Sequence, residues 1–276
     1  MRNYVGKFSS TDVTHPEGQQ SASRLPRSGL APPPHGSAAT WLPPTFAAFC
    51  FIAGAFAVVI LHDTSAARHA HSTGMLTGVL ATVSLIATLA YLTILAALHA
   101  LPTGYAPVRH AVSDYAVGRY ASLFNTALYI SSVGVLALAF ALLRGVGSPP
   151  LGTSDLVFLL VIPLTRIGMT LFPTTLEGQR ITRTGLLHYG FAIAAFTLTY
   201  LAITGMTPAL QTLAIGQWLH APLGWAAWIV APALFLVVIT MLRPLRRVFG
   251  LFERIFLLTT NIWFALAAIL VLSRLS

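Results

Sequence analysis

From residue 44 onward the chain alternates long apolar runs with short polar segments. Seven runs stand out, at 44–62, 75–98, 121–143, 155–172, 185–204, 222–242 and 255–272. Each is close to the roughly 20 residues that a helix needs to cross the hydrocarbon core of a bilayer. None contains Lys or Arg except the fourth, which holds Arg166. Membrane-barrel strands are about ten residues long with alternating polarity, a pattern absent here, so the runs predict helices. The first run, bounded by Trp41 and His62, is among the shortest. The segment 205–220 is also fairly apolar. It carries Pro208, Gln211, Gln217 and Trp218, so it is expected to lie on the membrane surface and not across it. Pro163 and Pro232 are expected to kink their spans. Ala87, Ser131, Ser132 and Gly134 are small enough to let helix backbones approach closely.

Composition agrees with the pattern. Of 276 residues, 56% are apolar and only 8% charged, too few to cover a water-soluble surface. The expected fold is therefore an all-α polytopic membrane bundle of about seven transmembrane helices over residues 41–276. It is preceded by a disordered cytoplasmic tail, 1–40, rich in Ser, Pro and Gly. No apolar stretch follows the first charges, so that tail does not read as a signal peptide.

The net charge of +9 would suit nucleic acid only if the basic residues formed one stripe. They sit instead at the ends of the apolar runs, which excludes that reading and fixes an orientation. With seven spans and the amino terminus inside, the inner segments hold 12 Lys and Arg residues and the outer ones three, Arg68, Arg144 and Arg274. The expected setting is the bacterial inner membrane, with the carboxyl terminus outside and membrane lipids as partners. The single cysteine, Cys50, allows no intrachain disulfide and no thiolate metal site. No His-Glu-x-x-His run, phosphate loop or Gly-x-Ser-x-Gly occurs. No cofactor or metal is expected. His62, Asp63, His69 and His71 have no ligand-like spacing and read as a surface loop. His99 and His220 flank spans and read as interfacial.

Three polar clusters fall on the expected inner face. One is the loop with Arg109, His110, Ser113, Asp114, Tyr115, Gly118 and Arg119. Another is the end of the fourth span with Arg166, Phe172, Pro173 and Glu177. The third opens the fifth span with Thr182, Thr184 and His188. An Arg at membrane depth costs roughly 2.5–3.5 kcal/mol on insertion scales, so Arg166 must snorkel to the headgroups or find a partner. Asp114 is the first candidate partner and Glu177 the second. His188 is placed about one turn into its span, at the level Arg166 is expected to reach. It reads either as a hydrogen-bonded structural residue or as a proton relay or base. Ser113 beside Asp114 reads more readily as a cap of the next helix than as a nucleophile.

Two motifs, Arg109-His110-x-x-Ser113-Asp114-Tyr115-x-x-Gly118-x-Tyr120 opening a span and Arg166-x-Gly168-x-x-x-Phe172-Pro173 closing a later one, together with His188, resemble the bacterial and archaeal domain-of-unknown-function family 998. The resemblance covers roughly residues 45–275. It implies an integral membrane protein with about six spans, so one span here is an addition. Its usual acid shortly after Phe-Pro is replaced by Thr174 and Thr175, with Glu177 slightly later. It implies no particular reaction.

The sequence leaves three functions open. The first is a binding or transport protein that holds a lipid headgroup or small anion at the cytoplasmic end of the bundle. Its candidate residues are Arg109, His110, Ser113, Asp114, Tyr115, Arg166, Glu177 and His188. The second is a structural or regulatory membrane subunit without a ligand. The third is a membrane enzyme acting on a lipid or isoprenoid, with His188 as base and Asp114 as its orienter.

Overall fold

The computed structural model describes residues 69–147 and 151–275. They form six α-helices: α1 (His69–Ala100), α2 (Ala121–Gly145), α3 (Thr153–Leu171), α4 (Arg183–Gln211), α5 (His220–Thr240) and α6 (Phe249–Ser273). Among the described residues there is no strand. All six helices are long and apolar enough to cross a membrane. The protein is a multi-pass membrane protein. The expected run 44–62 and the tail 1–40 lie outside the described residues.

Consecutive helices pack in turn, and α6 closes the bundle by packing on α1 and α2 as well as α5. The core is aliphatic and aromatic, with Leu80, Leu138, Leu159, Ile203, Trp263 and Phe264 all nearly inaccessible. Large apolar side chains also cover the outside, among them Met75, Ile86, Leu164, Trp225, Trp228 and Phe235. Such a surface is stable only against lipid. Where α1 and α2 cross, a Cβ on Gly134 would stand 2.8 Å from the Ala87 methyl, so the small residues do bring these backbones together.

Three expectations about helix limits fail. The first part of the segment 205–220 is not a surface piece: only 212–219 remain as the connection to α5, and α4 continues through Pro208 to Gln211. Its buried stripe Ala202, Ile203, Met206 and Leu210 runs on at helical spacing, and core packing outweighs the missing amide of one proline. Thr207 on this continuation accepts a hydrogen bond from the Trp263 indole at 2.9 Å. At the other limit, α6 begins at Phe249 and not at 255, after a short 3-10 turn, Arg243–Val248. Glu253 and Arg254 are therefore inside the helix. His69 and His71, expected in a loop, belong to the first turns of α1.

One end of the bundle gathers the end of α1, the start of α2, the end of α3, the start of α4, the end of α5 and the start of α6. Among the described residues most arginines outside the helices are here, and it is called the basic end below.

Candidate functional site

The loop between α1 and α2 is folded tightly onto the start of α6. Pro107 lies in a turn in which Arg109 and His110 both donate their amides to the Ala106 carbonyl, at 3.0 and 2.9 Å. His110 Nδ1 accepts the Ala106 amide at 2.9 Å, so the imidazole staples the turn from within. From α6, Leu251 donates its amide to the Val108 carbonyl at 3.0 Å, and Arg254 donates to the His110 carbonyl at 2.8 Å. Glu253 accepts the Val112 amide at 2.6 Å. The Arg254 guanidinium also reaches His99 Nε2 and lies 6.0 Å from the centre of the Tyr115 ring. His99 Nδ1 in turn faces the Leu95 carbonyl, so His99 is a buttress of the loop and not simply an interfacial residue.

Ser113 and Asp114 do not cap α2. They sit in a 3-10 turn, Val112–Ala116, and the residue preceding α2, Tyr120, makes no side-chain cap bond. Six more residues, 115–120, separate the pair from Ala121 at the α2 start, so the pair falls too early. Asp114 is buried, and burial pushes its carboxyl above the usual carboxylate range, with His110, the Ala111 backbone and Arg254 acting in the opposite sense. Tyr115 is fully buried beneath Arg254, flanked edge-on by His99 and Tyr105. Gly118 has φ +117°, a conformation that side-chain-bearing residues avoid, and it lets the chain turn toward α2.

Arg109 and Glu177 form an ion pair at 3.1 Å on the surface, joining the two loops of the basic end. This hydrogen bond from Arg109 holds the Glu177 carboxyl below its usual range. His188 is almost wholly buried, and its Nδ1 faces the Phe172 carbonyl at 2.8 Å and the Met169 carbonyl at 3.3 Å. Met169 is in the last turn of α3 and Phe172 directly follows it, so His188 caps a helix end. Nε2 of the same ring has no protein partner. Nearby, Thr182 caps α4 by accepting the Gly185 amide at 3.0 Å.

Arg166 is elsewhere. It neither snorkels nor meets Asp114, Glu177 or His188: it is 7% exposed, and no carboxylate among the described residues lies within 4.0 Å of it. Its guanidinium donates to Ser131 Oγ on α2 and lies 5.9 Å from the centre of the Phe264 ring on α6. Ser131 is ten residues past the start of α2, about 15 Å of helix axis. A helical side chain leans toward its own amino terminus, and α3 runs toward the basic end, so Arg166 leans away from that end. That is why it sits well inside the bundle although its Cα is only five residues from Leu171.

The eight expected residues thus divide among four places. His110, Ser113, Asp114 and Tyr115 belong to the loop clasped by α6. Arg109 and Glu177 tie the loops together, and His188 closes α3. Arg166 belongs to the bundle interior. Glu253, Arg254, His99 and Tyr105 were missed. The signal for Glu253 was present in the sequence, since an acid at the edge of a long apolar run is rare, but the expected span began two residues after it.

Beside the clasp is a crevice of about 70 Å³ lined by Pro102, Thr103, Tyr105, Tyr115, Val117, Gly118, Arg119 and Tyr120. Among the described residues no three of His, Cys, Asp and Glu come together as metal ligands. The family model described as "Protein of unknown function (DUF998)" matches residues 85–270, which include the clasped loop, Arg166, His188 and Glu253. No curated protein and no solved structure matches the chain.

Proposed function

The chain belongs to the DUF998 family, and from that premise we propose that it binds the phosphate of a lipid headgroup, or a free anion of the same chemistry, at the cytoplasmic end of an inner-membrane bundle. In this reading the basic end faces the cytoplasm and the carboxyl terminus faces outward. The excess of arginine at that end supports the orientation, since Lys and Arg favour the cytoplasmic side.

The crevice beside the clasped loop carries the proposal. Its volume of about 70 Å³ has room for a few water-sized groups. A phosphate suits that space, with any acyl chain left outside among the helices. Arg119 supplies charge at the rim, and its guanidinium lies 5.7 Å from the centre of the Tyr120 ring. Tyr105, Tyr115 and Tyr120 line it with aromatic rings, the usual side chains at headgroup depth, while the Tyr105 hydroxyl donates to the Val117 carbonyl at 2.9 Å and the Tyr115 hydroxyl accepts from Arg254 at 3.5 Å. Arg254 lies over the Tyr115 ring and adds positive potential. Of the residues expected from sequence, Tyr115 lines this site, while His110 and Asp114 belong to the fold of the loop that forms it.

A second reading has its own support. Arg109, Arg254, His99, His110 and His188 are all engaged in tying one stretch of chain to another. A structural or regulatory subunit needs no more than that. An enzyme that uses His188 as base finds less support, because Nδ1 is committed to α3 carbonyls and the ring is buried.

Thermal unfolding in neutral detergent separates the readings. The wild type and Arg119→Gln are compared with added phosphatidylglycerol, phosphatidylcholine or inorganic phosphate. Stabilisation of the wild type alone by phosphatidylglycerol establishes a lipid site, and stabilisation by phosphate alone establishes a free-anion site. Equal behaviour of both proteins in every arm refutes the crevice and leaves the structural reading.

A further inference from the structure

We propose that the bundle holds a second, internal site, centred on Arg166, for a small monovalent anion such as a halide or nitrate. It shares no residue with the crevice at the basic end.

Arg166 cannot be deprotonated at ordinary pH, so its charge persists inside the membrane. A guanidinium has five donors, and Ser131 Oγ takes one Arg166 hydrogen bond. The Phe264 ring adds a cation–π contact at 5.9 Å, which supplies no counter-charge. Tyr91, also buried, lies within electrostatic reach of Arg166 and offers a hydroxyl. Ser131, Tyr91 and Arg166 come from α2, α1 and α3, and Phe264 from α6. Ser131 and Phe264 bring α2 and α6 against the guanidinium, which is buried. A buried charge of this kind is costly unless it is paired.

Asn261 provides a second, independent observation. It is one turn before Phe264 on α6 and 1% exposed. Its side-chain amide donates to the Leu257 carbonyl at 2.7 Å, while Oδ1 is sealed from solvent without a protein partner. Residues three apart on a helix are about 5–6 Å from each other, so Asn261 shares a face of α6 with Phe264, the ring against which the guanidinium rests. A partly hydrated anion satisfies both: the ion accepts from Arg166, and a water of its shell donates to Asn261.

Charge and size set the class of ligand. One monovalent anion neutralises one guanidinium. A divalent anion would leave an excess negative charge in the bundle, which the low dielectric penalises. The Phe264 ring against the guanidinium, and the close approach of α1 to α2 at Gly134 one turn from Ser131, favour a small ion over a headgroup.

The test is thermal unfolding of the full chain in neutral detergent, in chloride, bromide or nitrate against gluconate at equal ionic strength. The expected result is a saturable stabilisation by the small anions that is absent in Arg166→Gln. Ser131→Ala, which removes a hydroxyl beside the guanidinium, is expected to weaken chloride about tenfold. Crystals grown in bromide should give an anomalous peak next to Arg166, a readout that remains if Arg166→Gln does not fold. No difference between anions in the wild type, equal anion dependence in Arg166→Gln, or a bromide peak absent from Arg166 would each overturn the site.

Discussion

Gly250 is the position at which the clasp between the α1–α2 loop and α6 is most exposed to test. It is buried as the second residue of α6, with the loop lying across it. A Cβ there would stand 2.5 Å from the Pro107 carbonyl oxygen and 2.7 Å from Arg254 Nη1, and closer still to the His110 carbonyl oxygen. Real Cβ contacts stay beyond 3.0 Å. Two of the three obstacles are backbone, so the loop itself has to retreat. Gly250→Ala then sets two effects against each other. Helix propensity alone gives a gain of up to about 1 kcal/mol. Overpacking costs about 1–3 kcal/mol, and retreat of the loop also lengthens the bonds that Val108, His110 and Val112 make with α6. Because the loop is pinned at all three residues, overpacking wins, and the expected net loss is about 1–2 kcal/mol. Unfolding in mixed micelles by SDS titration measures it, and hydrogen exchange over 105–117 should quicken. A variant as stable as the wild type, with unchanged exchange in that segment, would refute the clasp.

Further consequences follow from the same contacts. Glu253→Leu leaves the Val112 amide without its acceptor and should cost about 1.5–3 kcal/mol, whereas Glu253→Gln keeps an oxygen in place and should cost clearly less, both read by SDS titration. Gly134→Leu forces α1 and α2 apart against the Ala87 methyl, and should lower stability by about 1–3 kcal/mol in the same titration, while Gly190→Leu, at an open position, should not. Asp114 and Glu177 have opposite pH signatures. The Glu177 carboxyl is held low by Arg109, so the stability it contributes is present above pH 4.5 and lost as pH falls through its folded value. The Asp114 carboxyl is raised by burial, so its ionisation costs stability as pH rises from 3.8 through its folded value. Asp114→Asn should therefore match the wild type at low pH and gain on it toward neutrality, in thermal unfolding followed across pH; a difference independent of pH would contradict the assignment.

The helical, membrane-spanning character of residues 75 to 272 was legible because lipid imposes a simple rule, a long apolar run with its backbone bonds satisfied internally. The beginnings of α4 and α6 and the end of α4 were not, because hydropathy reports what faces lipid or core and not where helical bonding starts. Arg243–Val248 is polar yet leads directly into α6, so Glu253 and Arg254 looked like loop. The polar loop 107–120 was recognisable as the region of unusual chemistry, but its chemistry is turned toward α6. Sequence spacing cannot reveal a partner 141 residues away, as Glu253 is from Val112. Arg166 was legible as buried and costly. Its level was misjudged because distance from the helix end was taken as depth, without the lean of the side chain toward its own amino terminus.

α6 carries both polar centres, Glu253 and Arg254 near its start and Asn261 and Phe264 further along, and Tyr91 of α1 lies within electrostatic reach of Arg166, Glu253 and Arg254. Glu253 is thus the rival to an external anion as the counter-charge of Arg166. Magnitude decides between them. Phe264, against which Arg166 rests, is eleven residues beyond Glu253, on the order of 16 Å along the axis. At that separation and an effective dielectric of about 20, opposite unit charges attract by about 1 kcal/mol. This is well below the several kcal/mol that an unpaired buried charge costs. A double-mutant cycle of Arg166→Gln with Glu253→Gln, followed by SDS titration in gluconate, should therefore give a coupling of about 1 kcal/mol or less. A coupling of several kcal/mol would mean that the two charges compensate each other directly, and the internal anion site would have lost its reason to exist.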